Sequence, residues 1–140
     1  MRKKTNKTTT FHVAALLHED ILASSITLPM EILAGAAQAL GRGARQSLRF
    51  ECFSSQGGPL KLQSGLTILT EPLDALDQAD LLIIPAIWRQ PQRVLQKNPI
   101  HIDVITRHLS KRGLTVSIGS GSFLLAATGQ MNGRSATTHW

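Results

Sequence analysis

The residues best placed for chemistry stand where Ile118-Gly119-Ser120-Gly121-Ser122 joins an apolar run to a helical one. In open α/β sheets, ligands bind beyond the carboxyl ends of the strands, where loops enter the next helices. Small residues allow a sharp turn there, and amide groups at a helix start hold an anion or an oxyanion. Three chemistries compete for this turn. A dinucleotide fingerprint needs a third glycine where Leu124 stands, and an acidic ribose partner further on. A serine-hydrolase elbow needs glycines two residues to each side of Ser120, where the sequence has Ile118 and Ser122. The third reading is a tight glycine turn that only lets a helix pack against a strand.

Other reactive side chains are scattered. His18-Glu19-Asp20 follows the first apolar run, at a strand end where ligand loops gather, and reads as a polar-ligand or metal loop or as solvated surface. His101 and His108 lie seven apart on one helical stretch, expected as a partly exposed face rather than a metal site. Trp88 follows another strand end and suits either a pocket wall or simple packing. Cys52, the only cysteine, excludes an internal disulfide and a cysteine-based zinc cluster, and reads as a small buried hydrophobe.

The elements that must position these groups follow from periodicity. Residues 11–17, 81–85 and 114–118 are short apolar segments that read as strands covered by helices on both faces. Residues 48–54 alternate more and suit a strand nearer an edge, and 66–70 suit a small extended piece. Leu28, Ile32, Ala36 and Leu40 recur at helical spacing over 27–40, with Gly41 as the stop. Asn98-Pro99 reads as an N-cap followed by a first-turn proline, Ile102, Ile105 and Leu109 as the apolar stripe, and Gly113 as the end. A last helix runs from Ser122 to Gly129. Alternating strands and helices predict an α/β doubly wound, mostly parallel sheet with helices on both faces and right-handed crossovers.

Residues 116–140 resemble a signature of the DJ-1/PfpI, glutamine-amidotransferase-like superfamily. The likeness is to the branch fused to AraC-type helix-turn-helix regions, whose pattern runs Cys-Thr-Gly-Ala-Phe-Leu-Leu-Ala, then Ala-Gly-Leu-Leu-Asp-Gly-Arg, then Ala-Thr-Thr-His-Trp. Leu28-Pro29-Met30-Glu31-Ile32-Leu33, Gly57-Gly58-Pro59 with Ser64-Gly65-Leu66, and Asp80-Leu81-Leu82-Ile83-Ile84-Pro85 resemble further motifs of that branch. The resemblance spans residues 11–140 and implies the flavodoxin-like form of the α/β doubly wound fold.

Carried over by this resemblance, the nucleophilic cysteine falls on Gly119, which has no side chain with which to attack. The partner carboxylate falls on Ser25, and the Pro-Gly turn becomes Pro85-Ala86. Only His139 keeps an identity associated with catalysis. The resemblance therefore implies a site without catalytic residues, whose remains bind a small-molecule effector through Glu19, Ser25, Ala86, Trp88, Gly119, Ser120, Gly121 and His139. It implies a homodimeric sensing domain that regulates transcription through a C-terminal helix-turn-helix domain, with no cofactor, no metal and no membrane contact. A hydrolase or amidase activity and a truncated non-functional relic are the alternatives. The chain stops at Thr137-Thr138-His139-Trp140, which reads as the opening of another strand, so the domain is expected to be incomplete and to lack its DNA-binding half.

Composition bounds these readings. The 140 residues carry 42% hydrophobic and 17% charged side chains, a globular balance. The net charge of +6 suggests nucleic acid, yet Arg2, Lys3, Lys4 and Lys7 supply four of those charges within residues 1–10, expected as a disordered basic leader. No apolar run approaches the roughly 18 residues of a membrane span, and no signal-peptide cleavage pattern follows the leader. A cytoplasmic location is the resulting expectation.

Overall fold

In a computed structural model, residues 9–39, 46–76 and 78–138 are described. Their elements are β1 (Thr9–Leu16), α1 (Ser24–Ala39), β2 (Gln46–Ser54), β3 (Gly58–Lys61), β4 (Thr67–Pro72), β5 (Leu81–Ile84), α2 (Pro91–Lys97), α3 (Pro99–Ser110), β6 (Leu114–Ser117) and α4 (Ser122–Ala127). The sheet order is β3-β4-β2-β1-β5-β6. Every pairing is parallel except β3 with β4. The expected doubly wound α/β sheet is the observed one.

β1 explains why the sheet is filled on both faces. Successive strand side chains point to opposite sides. Ala14 and Leu16 enter one core with Phe53, Leu82, Ile84, Val94, Ile105 and Leu124. Val13, Ala15 and Leu17 enter the other with Ile21, Ile26, Leu62 and Ile83. Thus the uninterrupted apolar run is divided between two cores. The chain leaves β1 through α1 to pair with β2 on one side, then returns to pair β5 on the other. The crevice at this reversal lies between the β1 and β5 carboxyl ends, where such sheets bind ligands.

Four local expectations need correction. β1 begins at Thr9, two residues inside the stretch expected as leader; residues 1–8 lie outside the described residues. The segment after Gly57 is a strand, β3, and the short Pro91–Lys97 stretch is a helix. Asn98 does not cap α3, because its amide instead donates to the Val94 carbonyl at 2.9 Å and closes the end of α2. The stripe expected to anchor α1 faces outward, with Leu28 57% and Ile32 62% exposed, while Ile26 and Leu33 meet the sheet. Both faces of α1 are apolar, so periodicity did not reveal which one is buried. Leu40 and Gly41 lie outside the described residues.

Candidate functional site

The turn after β6 is held by backbone and hydroxyl groups. The Ile118 amide donates to the Ile84 carbonyl at 2.9 Å, which holds the end of β6 to β5. The chain then turns at Gly119, whose φ of +49° favours glycine, and enters α4 through a single 3-10 turn. Gly121 lies against the end of β5: a Cβ there would stand 2.6 Å from the Ile84 carbonyl oxygen. At Gly119, by contrast, a Cβ would meet only the Ala86 Cβ, at 3.6 Å. Space for a side chain exists at position 119, and glycine leaves it open.

The two serines beside this turn are committed to backbone partners. Ser120 Oγ donates to the Ile87 carbonyl at 2.8 Å and accepts from the Ile87 amide at 2.9 Å. Ser25 Oγ donates to the Leu22 carbonyl at 2.6 Å and accepts from the Ala86 amide at 3.0 Å. Together they staple the loop after β5 to the start of α1 and to the turn. An isolated bridge between Ile21 and Ile87, and the Trp88 amide bonded to the Asp20 carbonyl at 2.7 Å, tighten the same loop.

Ser25, Ala86, Gly119, Ser120 and Gly121 therefore lie together around the loop after β5. Trp88 lies at the edge of the group, 51% exposed, with the Arg89 guanidinium 5.5 Å from its ring centroid. Thr138 Oγ1 donates to the Gly119 carbonyl at 3.2 Å and accepts from Ser122 Oγ at 2.6 Å. Its successor His139 lies outside the described residues. Glu19 does not join the cluster; it lines a separate cleft beyond β1 and β2.

Ser120 has no base among its described partners, and its proton is already donated to a carbonyl. Ser120→Ala is expected to cost about 1–2 kcal/mol, because the buried Ile87 amide and carbonyl lose a shared partner. Chemical denaturation reads this directly, and a change below about 0.3 kcal/mol would refute the staple.

The cysteine and the histidines differ in outcome. Burial pushes the Cys52 thiol up to about 11, so it stays protonated and unreactive. His101 and His108, expected on a partly exposed face, are buried instead at 0% and 9% exposure. Helical amphipathy treated both as polar, but each imidazole satisfies a backbone carbonyl. His101 Nε2 donates to Leu17 at 3.0 Å, and His108 Nε2 to Leu114 at 2.9 Å. His101 also meets His18 edge-on, with ring centroids 5.8 Å apart. No sequence signal links two residues so far apart in the chain. Among the described residues, no group of three His, Cys, Asp or Glu side chains converges as metal ligands would.

A doubly wound α/β domain with a glycine turn facing its central crevice defines a class, and comparison with known proteins places the chain within it. The sequence profile of the DJ-1/PfpI family matches residues 12–140, and the chain belongs to that family. It is 33% identical over 94 residues to the HTH-type transcriptional regulator CdhR of Pseudomonas aeruginosa, which covers 66% of this chain and 27% of that protein. The crystal structure of an AraC family transcriptional regulator from Pseudomonas putida superposes with a TM-score of 0.71 at 21% identity, over 89% of this chain and 64% of that one. A ThiJ/PfpI family protein from Pseudomonas syringae gives a TM-score of 0.74 at 16% identity, over 99% and 54%. These two structures establish the fold. The chain spans about a quarter of the curated regulator's length.

Proposed function

We propose that this chain is the effector-sensing and dimerisation part of an AraC-type transcription regulator, in which a family enzyme site has become a binding site. The observation that carries this reading is the combination at the turn. By the sequence resemblance the family nucleophile falls on Gly119, and the hydroxyls of Ser120 and Ser25 are both held by backbone groups. In this reading the fold is kept and the attacking group is lost. The similarity to the Pseudomonas aeruginosa regulator supports the transcriptional setting. In this reading DNA is contacted only by a C-terminal helix-turn-helix region that follows these residues in the full-length protein. The protein works in the cytoplasm, and no helix among the described residues is long and apolar enough to cross a membrane.

Sensing requires that effector binding change the relation between subunits. The outward face of α1 suits a subunit contact. Leu28 and Ile32 are exposed on it, and Glu31 is the only charged residue in the helix. Ile32→Glu is expected to convert a dimer to a monomer in sedimentation, with less than about 1 kcal/mol lost from the fold, because the residue is already exposed. A dimer unchanged by this substitution would exclude α1 as the contact.

The reading as a whole is tested at the gene and on the protein. The reading frame is expected to continue past the Trp140 codon for roughly 100 residues or more, with two helix-turn-helix signals. An immediate stop would favour a relic. Turnover of an amide, ester or glyoxal substrate that vanishes in Ser120→Ala would favour a hydrolase.

A further inference from the structure

A cleft of about 590 Å³ opens away from the glycine turn, beyond the carboxyl ends of β1 and β2. That is the end of a parallel sheet at which ligands bind, and the volume suits a small molecule. Its buried lining is Leu17, His18 and Ser54. Three wall segments surround these residues: the loop after β1, the β3 strand and the end of α2.

Each wall is held by bonds that leave a charge free. The Gln63 amide donates to the Glu19 carbonyl at 3.0 Å, which ties the β3–β4 turn to the loop after β1. The Asp20 carbonyl accepts from the Trp88 amide at 2.7 Å, and the Asp20 carboxylate from Gln63 Nε2 at 3.3 Å. Lys61 stands in the β3–β4 ladder opposite Thr67. Asn98 Nδ2 donates to the Val94 carbonyl at 2.9 Å and closes α2 directly after Lys97. On these supports, the Glu19 carboxylate and the Lys61 and Lys97 ammonium groups line the cleft with no partner among the described residues. No two of them are close enough to pair with each other. Burial lowers the His18 imidazole to about 3, so it adds no charge at neutral pH. The groups free to receive a ligand are therefore two cations and one carboxylate.

We infer that this cleft binds a small amino dicarboxylate, its two carboxylates held by Lys61 and Lys97 and its ammonium by Glu19. The ligand's charges complement the three unpaired groups one for one. A plain dicarboxylate would set an anion beside Glu19 with no ammonium between them, and like charges so placed cost affinity. An amino acid with a neutral side chain would leave one lysine without a partner. Both lysines carry the ammonium on a flexible four-carbon stem, so neither has to be fixed in advance at the ligand's span. The inference rests on the sensor reading and deepens it, by naming the effector's class and placing it in this cleft instead of at the glycine turn.

The test uses the 140-residue chain at about 0.15 M salt, where loose surface pairing is screened. L-glutamate and L-aspartate are the probes; glutarate, without the ammonium, and L-glutamine, with one carboxylate fewer, are the counterparts. Calorimetry and thermal unfolding are expected to show saturable binding of the probes, with each counterpart at least about ten-fold weaker than glutamate. Lys61→Met, Lys97→Met and Glu19→Gln, all at exposed positions, should leave the free protein's Tm in place and each weaken glutamate at least about five-fold. Glu19→Gln should also bring glutamate and glutarate to equal affinity, because the ammonium then meets no charge. A parent protein that binds glutarate as tightly as glutamate overturns the ammonium assignment. Glutamate binding undiminished by either lysine variant overturns the cleft as its place. If neither amino dicarboxylate binds, the inference falls alone, since the sensor reading is decided separately by the helix-turn-helix region expected past the Trp140 codon.

Discussion

Gly121→Ala is expected to destabilise the domain by about 3 kcal/mol, at the upper end for a single added methyl in a packed interior. The φ of Gly121 is −58°, open to any residue, so the loss comes from collision alone. A Cβ there would lie 2.6 Å from the Ile84 carbonyl oxygen and 3.0 Å from the Pro85 carbonyl carbon. Both are backbone atoms at the end of β5, where the Ile84 carbonyl is also bonded to the Ile118 amide. Neither retreats cheaply. The added methyl pushes the turn off the sheet and strains the Ser120 staple to Ile87. Gly119→Ala makes the control. Its Cβ meets nothing closer than 3.6 Å, so only the positive φ is penalised, by about 1 kcal/mol. Urea unfolding of both variants separates steric from conformational cost. If the alanine at 121 costs no more than the one at 119, the close approach is not what requires glycine there.

That contrast shows how far the sequence could be read. The parallel sheet was legible because β1 and β5 carry short apolar runs bounded by turn residues, a pattern set by burial on two faces; β6, expected to be covered likewise, is an alternating edge strand with Leu114 62% and Val116 46% exposed. The glycine turn and its serines were legible because a local motif occupies consecutive positions. β3 and α2 were not: with four and seven residues, neither is long enough to establish a period. α1 was found, but its buried face was not, since both faces are apolar and the sheet decides between them. The cleft was hidden for a different reason. His18 and Glu19 stood out as a loop near a strand end, but Lys61 and Lys97 reach the cleft from β3 and α2, and nothing local records that meeting. Asn98 misled because an amide before a proline suits a helix start, while a carbonyl one turn back offered it a closer partner.

The histidine pair also sets the response to acid. Burial lowers the His18 imidazole to about 3, with His101 as the lesser cause, and burial lowers His101 against the opposing bond to Leu17. In the unfolded chain both titrate near 6.5. Below that pH the unfolded state takes up protons that the folded state refuses, so stability is full above about 6.5 and declines as pH falls toward 3. At pH 5, His18 alone accounts for about 2 kcal/mol of loss, and His101 adds in the same direction. Glu51 is held below the usual carboxylate range, chiefly by the hydrogen bond from Arg49. Its contribution is lost only below the ordinary carboxylate range, so the interval from pH 6.5 to 5 isolates the imidazoles. His18→Asn supplies an oxygen for the Asp20 amide but cannot titrate. It is expected to start less stable at pH 7.5 and to lose about 2 kcal/mol less than the parent by pH 5, so the two stability curves converge. Parallel curves for parent and variant across that interval would show that His18 is already solvated, and would remove the buried pair as the cause of acid sensitivity.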